Sequence, residues 1–225
     1  MKREIIKTAD GSSTIHIPQW NENYHSKHGA IKEAYHVFIK HGLDFVCEFK
    51  TPANQIINIL EIGFGTGLNA YITYLEFKKN RVPINYVGVE AYPVTKQEVA
   101  MLNYPIQLNV PEHAPIFSNM HDIPWETAHK IDANFTLQKQ QKHFKDISEK
   151  HSFNLIYFDA FGARVQPELW TEAIFSKMYI ALKTGGVMVT YAAKGSVRRA
   201  MQAVGFAVQK LPGPPGKREM LRAVK

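Results

Sequence analysis

The residues best equipped for chemistry form a short constellation. Glu61 precedes three glycines at every second position, Gly63, Gly65 and Gly67, in "ILEIGFGTGLNAYI". Glu90 ends a second apolar run, "INYVGVE", and Asp159 ends a third, "FNLIYFDA". Glycine accepts backbone dihedrals that other residues avoid and lets a ligand approach the main chain closely. The spacing G-x-G-x-G differs from the G-x-G-x-x-G of dinucleotide sites, and no Lys-Ser/Thr follows as in a phosphate loop. An acid ahead of the glycines suits a cationic ligand or an amino group better than a pyrophosphate. A carboxylate closing the second strand can accept both hydroxyls of a ribose.

Acid, glycine turn and second acid together match an S-adenosylmethionine site. Glu61 is then expected near the methionyl ammonium or the turn, and Glu90 on the ribose. Asp159 ends a buried strand, where an acid is costly without a partner. Facing the same crevice, it could orient an amine and take up the proton that the amine must lose before or during attack. Phe161 and Trp170 could form an apolar or stacking wall beside it. The ten histidines show no H-E-x-x-H spacing and the chain has one cysteine, so no metal site is expected. There is no G-x-S-x-G elbow either.

The elements that must position these groups follow from the periodicity. "EIIKTADGSSTIHIP" predicts a hairpin turning at Asp10-Gly11. "AIKEAYHVFIKHG" has helical spacing and predicts a helix ending at Gly42. Strands are then expected at "QIINILEI", "INYVGVE", "NFTLQK", "FNLIYFDA" and "GGVMVTYA". Helices are expected at 68–79, near 95–102, over 141–149, from Pro167 onward and at "SVRRAMQAVG", with 103–132 as a long connector. "FAVQKL" and "EMLRAV" predict two last strands, separated by "PGPPGKR". Alternation of this kind implies an α/β fold with a mainly parallel sheet covered on both faces. Its ligand lies beyond the C-terminal ends of the strands, at the topological switch point. Residues 1–50 read as a hairpin and helix extension packed on a core spanning 51–225, in one structural domain overall.

Charge is uneven along the chain. Residues 1–182 hold 18 Lys/Arg and 19 Asp/Glu; residues 183–225 hold nine Lys/Arg and only Glu219. The basic excess in the last fifth is what a phosphate-rich partner needs. No apolar run approaches the roughly 18 residues of a membrane span, and the N-terminus lacks the apolar core of a signal peptide. With Cys47 alone, these features lead us to expect a cytoplasmic protein with no membrane partner.

Three stretches together resemble one family. "EIGFGTGLNA", "FDAF…QPELWT" and "GSVRRAMQAVGF…GKREML" are similar to the methyltransferase portion of the tRNA 5-methylaminomethyl-2-thiouridine biosynthesis (MnmC) proteins, over roughly residues 15–223. "YHSKHGAIKEAYHVFIKHGL" resembles that family's lead-in. The resemblance implies a Rossmann-like methyltransferase fold: a mainly parallel seven-stranded sheet with an antiparallel edge, plus the N-terminal extension. It implies S-adenosyl-L-methionine as cofactor. It implies methyl transfer to the aminomethyl nitrogen on carbon 5 of the tRNA wobble uridine, a primary amine supplied by an upstream tRNA-modifying enzyme. The best-known members carry a second, flavin-dependent oxidase domain, and a stand-alone methyltransferase is expected here.

Carried over by position, Glu61, Gly63, Phe64, Gly65, Thr66, Gly67, Asn69 and Glu90 fall on cofactor-binding places. Asp159 falls on the proposed catalytic acid, also against the cofactor. Tyr24 and Ser26 match a lead-in segment over the cofactor. Arg198, Arg199, Lys217 and Arg218 match basic positions for tRNA, and Phe161, Arg164 and Trp170 are expected to contact the substrate. The sequence departs from the family at 162–166, where Arg164 would supply a missing cation. It departs again at Gln141, which would replace the acid that holds the adenine amino group; an amide carbonyl can accept that bond. The alternatives are a small-molecule amine methyl- or aminopropyltransferase like spermidine synthase, and a non-catalytic RNA-binding relic. A polyamine site needs further acids near Asp159, where the sequence offers Arg164. Retention of Glu61, the glycines, Glu90 and Asp159 argues against the relic.

Overall fold

The computed structural model describes residues 2–49, 55–80 and 82–225. The boundary expected between residues 50 and 51 falls outside them. Strands β1 (Glu4–Lys7) and β2 (Ser13–Ile17) pair antiparallel around the Asp10-Gly11 turn, and β3 (Glu22–Asn23) adds to β2. The main sheet contains β4 (Ile57–Ile62), β5 (Ile84–Val89), β6 (Ala128–Asp132), β7 (Phe135–Gln140), β8 (Phe153–Phe158), β9 (Leu182–Thr190), β10 (Ala207–Pro212) and β11 (Glu219–Val224). Its spatial order is β10-β11-β9-β8-β4-β5-β7-β6. The five strands β9, β8, β4, β5 and β7 run parallel; β11 pairs antiparallel with β9, β10 antiparallel with β11, and β6 antiparallel with β7.

The sheet has eight strands rather than seven. The extra one, β6, lies in the stretch expected to be a connector, which also forms helices at Tyr104–Gln107 and Ala114–Asp122. Pro105 and Pro115 stand in the first turns of those helices, where a missing N–H costs nothing. The helix expected over 141–149 is a single tight turn, Phe144–Asp146. An ion pair from Lys142 to Glu149 at 3.1 Å closes that loop instead.

The lead-in helix passes through Gly42 instead of stopping there. It is α-helical over Ala30–Ala34, π-wound over Tyr35–Asp44 and α-helical again over Phe45–Phe49. Gly42 is a packing residue. A methyl there would come within 3.1 Å of Val189 and 3.2 Å of Tyr157 on the sheet. With the helices at Leu68–Asn80 and Ala114–Asp122, this helix buries one face of the sheet, Phe38 meeting Tyr157 at 5.1 Å between ring centres. The helices at Glu172–Ala181 and Gly195–Ala203 bury the other face.

The chain leaves β4 for β5 on one side and returns to place β8 on the other, so the switch point lies at the end of β4. The main chain is pinned there on both sides. Gly63 N–H donates to Val89 O at 3.0 Å, and Asp159 N–H donates to Ile62 O at 2.9 Å.

Candidate active site

A cleft of about 1200 Å³ opens over that switch point. Its floor is the glycine turn. Gly63, Gly65 and Gly67 all have positive φ, at 91°, 50° and 71°. A side chain at Gly63 would meet Asp159 O at 2.7 Å, and one at Gly65 the Tyr24 ring at 3.1 Å. The turn leads into the helix Leu68–Asn80. Glu90 closes the far side. Its Oε2 accepts from Gly65 N–H at 3.1 Å and its Oε1 from Tyr92 N–H at 2.9 Å. Each oxygen keeps a lone pair for a further donor, which is what two ribose hydroxyls need.

Asp159 stands at the opposite end, half-buried. Burial first, and the nearby Glu33 charge second, raise its carboxyl to about 7; the Asn69 hydrogen bond and Lys217 pull the other way. A carboxyl poised there is suited to exchanging a proton near neutral pH. Asn69 Nδ2 donates to Asp159 Oδ2 and to Glu61 Oε1, both at 2.9 Å. Glu61 is fully buried and also accepts from Tyr86 OH at 2.8 Å. Its burial raises it well above the ordinary carboxylate range, against both hydrogen bonds.

The lead-in forms a cover. Tyr24 packs edge-on to Phe161 at 4.9 Å, and Trp20 does so at 5.5 Å. His25 bridges Thr14 Oγ1 at 3.0 Å and Thr66 Oγ1 at 3.3 Å. Ser26 N–H donates to Glu33 Oε2 at 2.9 Å. Lys217 reaches Glu33 Oε1 at 2.5 Å and lies 3.8 Å over the Tyr191 ring.

Of the residues expected from sequence, Tyr24, Ser26, Gly63, Phe64, Gly65, Thr66, Asn69, Glu90, Asp159, Phe161 and Lys217 line the cleft together. Others stand elsewhere. Glu61 lies beneath Asn69, because inward-facing positions of a central strand are covered on both sides. Gly67 turns the chain against His121. Trp170 is core, its Nε1 donating to Phe161 O at 2.7 Å from below. Arg164 clamps the lead-in through Trp20 O, Asn21 O and Glu22 at 3.0–3.1 Å. Gln141 is exposed, its N–H held by Glu126 at 2.7 Å, while His143, Phe144 and Lys145 border the cleft from the same loop. Arg198, Arg199 and Arg218 are outside the lining. Sequence reasoning missed Glu33, Trp20 and His143. Glu33 carried one signal: an acid on the otherwise apolar inward face of the lead-in helix.

No helix among the described residues is long and apolar enough to cross a membrane. Among the same residues, no group of three or more His, Cys, Asp or Glu side chains could hold a metal ion.

The family model for S-adenosyl-L-methionine-dependent methyltransferases matches residues 112–225. The chain is 30% identical over 212 residues to the tRNA 5-methylaminomethyl-2-thiouridine biosynthesis bifunctional protein MnmC of Aromatoleum aromaticum, covering 88% of this chain and 32% of that protein. It spans about a third of the length of the curated relatives it matches. Among solved structures, MNMC2 from Aquifex aeolicus superposes with a TM-score of 0.76 at 27% identity, over 99% of this chain and 70% of that one. Spermidine synthase from Thermotoga maritima shares the fold, with a TM-score of 0.56 at 14% identity, over 99% and 68%.

Proposed function

Because this chain belongs to the S-adenosyl-L-methionine-dependent methyltransferase family, we propose that it methylates the 5-aminomethyl nitrogen of the tRNA wobble uridine. The product is the 5-methylaminomethyl form, with or without 2-thiolation of the base. The observation that carries this reading is Asp159, a carboxyl raised to about 7 at the cleft end opposite Glu90. The similarity to MnmC proteins supplies the substrate class.

The site fits the cofactor on its own geometry. Gly63 and Gly65 form a cradle that any side chain would fill. Glu90 keeps acceptor capacity for a ribose, and Tyr24 walls the space above Gly65. Held by Gly63, Gly65, Glu90 and Tyr24, S-adenosylmethionine would supply a sulfonium-bound methyl group for transfer to the amine, with a thioether as the leaving group.

The protein's own residues then have two tasks. Positioning falls to the cradle and the Trp20–Phe161–Tyr24 corner, which would hold the base edge so that its amine reaches the methyl carbon. Proton transfer falls to Asp159: a primary amine attacks only when neutral, and Asp159 would accept the proton it sheds. Glu22 and Glu33 beside the cleft are paired with Arg164 and Lys217. That leaves them less free to bind a polyamine and favours the tRNA reading over an aminopropyltransferase.

The test is methyl transfer from labelled S-adenosylmethionine to bulk tRNA from cells lacking this protein, followed by nucleoside mass spectrometry. Label on 5-methylaminomethyl-uridine, or its 2-thio form, is expected. Cofactor binding without label on tRNA would overturn the substrate.

A further inference from the structure

Asn69 has an unusual hydrogen-bond account. Its two amide hydrogens go to two different carboxyls, Glu61 Oε1 and Asp159 Oδ2, each at 2.9 Å. Its Oδ1 is buried and has no protein partner. On the core side the Asn69 amide is fixed by Glu61, which also accepts from Tyr86 OH at 2.8 Å.

We propose that Asn69 is a positioning residue for methyl transfer: anchored by Glu61, its amide holds the Asp159 carboxylate in place as proton acceptor at the cleft. The inference rests on the functional reading above for the word acceptor, and on geometry alone for the anchoring.

Several groups bear on Asp159, and each element packed around it contributes. Glu33 from the lead-in helix raises its proton affinity, and Lys217 from the 213–218 turn lowers it. Glu61 on β4 and the Tyr191 ring beyond β9 complete the surroundings. Asn69 is the neutral donor among them. A hydrogen bond to a charged group is worth about 1.5–3 kcal/mol, so its loss corresponds to a shift of about one to two pH units in the carboxyl it served.

The experiment is carboxyl titration by NMR on protein labelled with ¹³C-aspartate, with the Asp159 signal assigned from Asp159→Asn. Asn69→Leu, close in volume and without donors, is compared with wild type. Asn69→Ala is the second variant in case the first fails to fold, and cofactor calorimetry checks both. The expected result is an Asp159 midpoint raised by about one to two units. The acid limb of kcat against pH should move up by the same interval. An Asp159 midpoint that stays within 0.3 of the wild type in a folded variant overturns the proposal. The titration needs no methyl acceptor. A shifted midpoint in a protein that leaves tRNA unlabelled therefore sinks the substrate assignment and leaves the Asn69 anchor standing.

Discussion

Burial and the Glu33 charge raise the Asp159 carboxyl to about 7, against the pull of Asn69 and Lys217. Two consequences follow at the scale of this residue. Its removal should be felt in turnover and not in cofactor affinity: Asp159→Asn is expected to lower kcat by about 10²–10⁴-fold, the range for a positioned proton acceptor, with calorimetric Kd for the cofactor little changed. Its titration should also appear in stability. The folded carboxyl sits near 7 and the unfolded one near 3.8. Below 3.8 both states are protonated and the full contribution to stability is present. It is lost as pH rises through 7, because only the unfolded chain ionises freely. Denaturant titrations should therefore find Asp159→Asn more stable than wild type at pH 8, by at most about 4 kcal/mol and by less in proportion to the carboxyl's partial exposure. Equal stability at pH 5 and pH 8 relative to wild type would show that Asp159 is not held neutral by its surroundings.

At the scale of elements, the sheet delivers Gly63, Glu90 and Asp159 to one end, while the lead-in closes over them. These strand ends were legible because strand-to-turn chemistry is local: an apolar run, then glycine or acid. The cover was not legible in the same way. His25 and Arg164 act through partners 41 and 142 to 144 residues away, and no periodicity encodes such distances. Gly42 misled because a glycine after a helical run is ordinarily a cap, whereas here it lets two elements touch. Gln141 stood where strand β7 ends, but a single tight turn in place of a helix brings His143 and Phe144 to the cleft. The cover carries its own pH dependence. His25 is half-buried between Thr14 and Thr66, and removal from solvent lowers it from 6.5 to about 4. The sign is opposite to that of Asp159: the contribution is complete above 6.5 and lost as pH falls toward 4, where the unfastened ring takes a proton. Protection from hydrogen exchange, relative to the intrinsic rate at each pH, should fall across 20–28 between pH 6 and 4 more than in β4 or β8. A His25→Gln variant should flatten that difference, and an identical loss of protection in all three segments would point to global unfolding instead.

At the scale of the whole molecule, the charge asymmetry of the sequence becomes a spatial one. The last 43 residues, with nine Lys/Arg against one acid, build β10, β11, most of β9 and the helix Gly195–Ala203, which form one edge of the sheet and its covering. The basic residues of this edge do not act alike. Lys217 reaches into the cleft, tied to Glu33 and the Tyr191 ring, so its loss disturbs the surroundings of Asp159. Arg198, Arg199 and Arg218 lie outside the cleft lining. If tRNA is the partner, they contact phosphate, and each contact releases counterions on binding. Replacing the three with alanine should weaken tRNA binding at low salt and lower the slope of log K against log salt by about two to three units, at about 0.7–0.9 per contact. The same variant should bind the cofactor as wild type does. Lys217→Ala should instead move the slope by less than about one unit and shift the acid limb of kcat upward, because a cation that favours the carboxylate is gone. Filter binding across a salt series, read beside the pH profile, separates the two roles. A triple variant with an unchanged slope would place the polyanion on another face of the molecule.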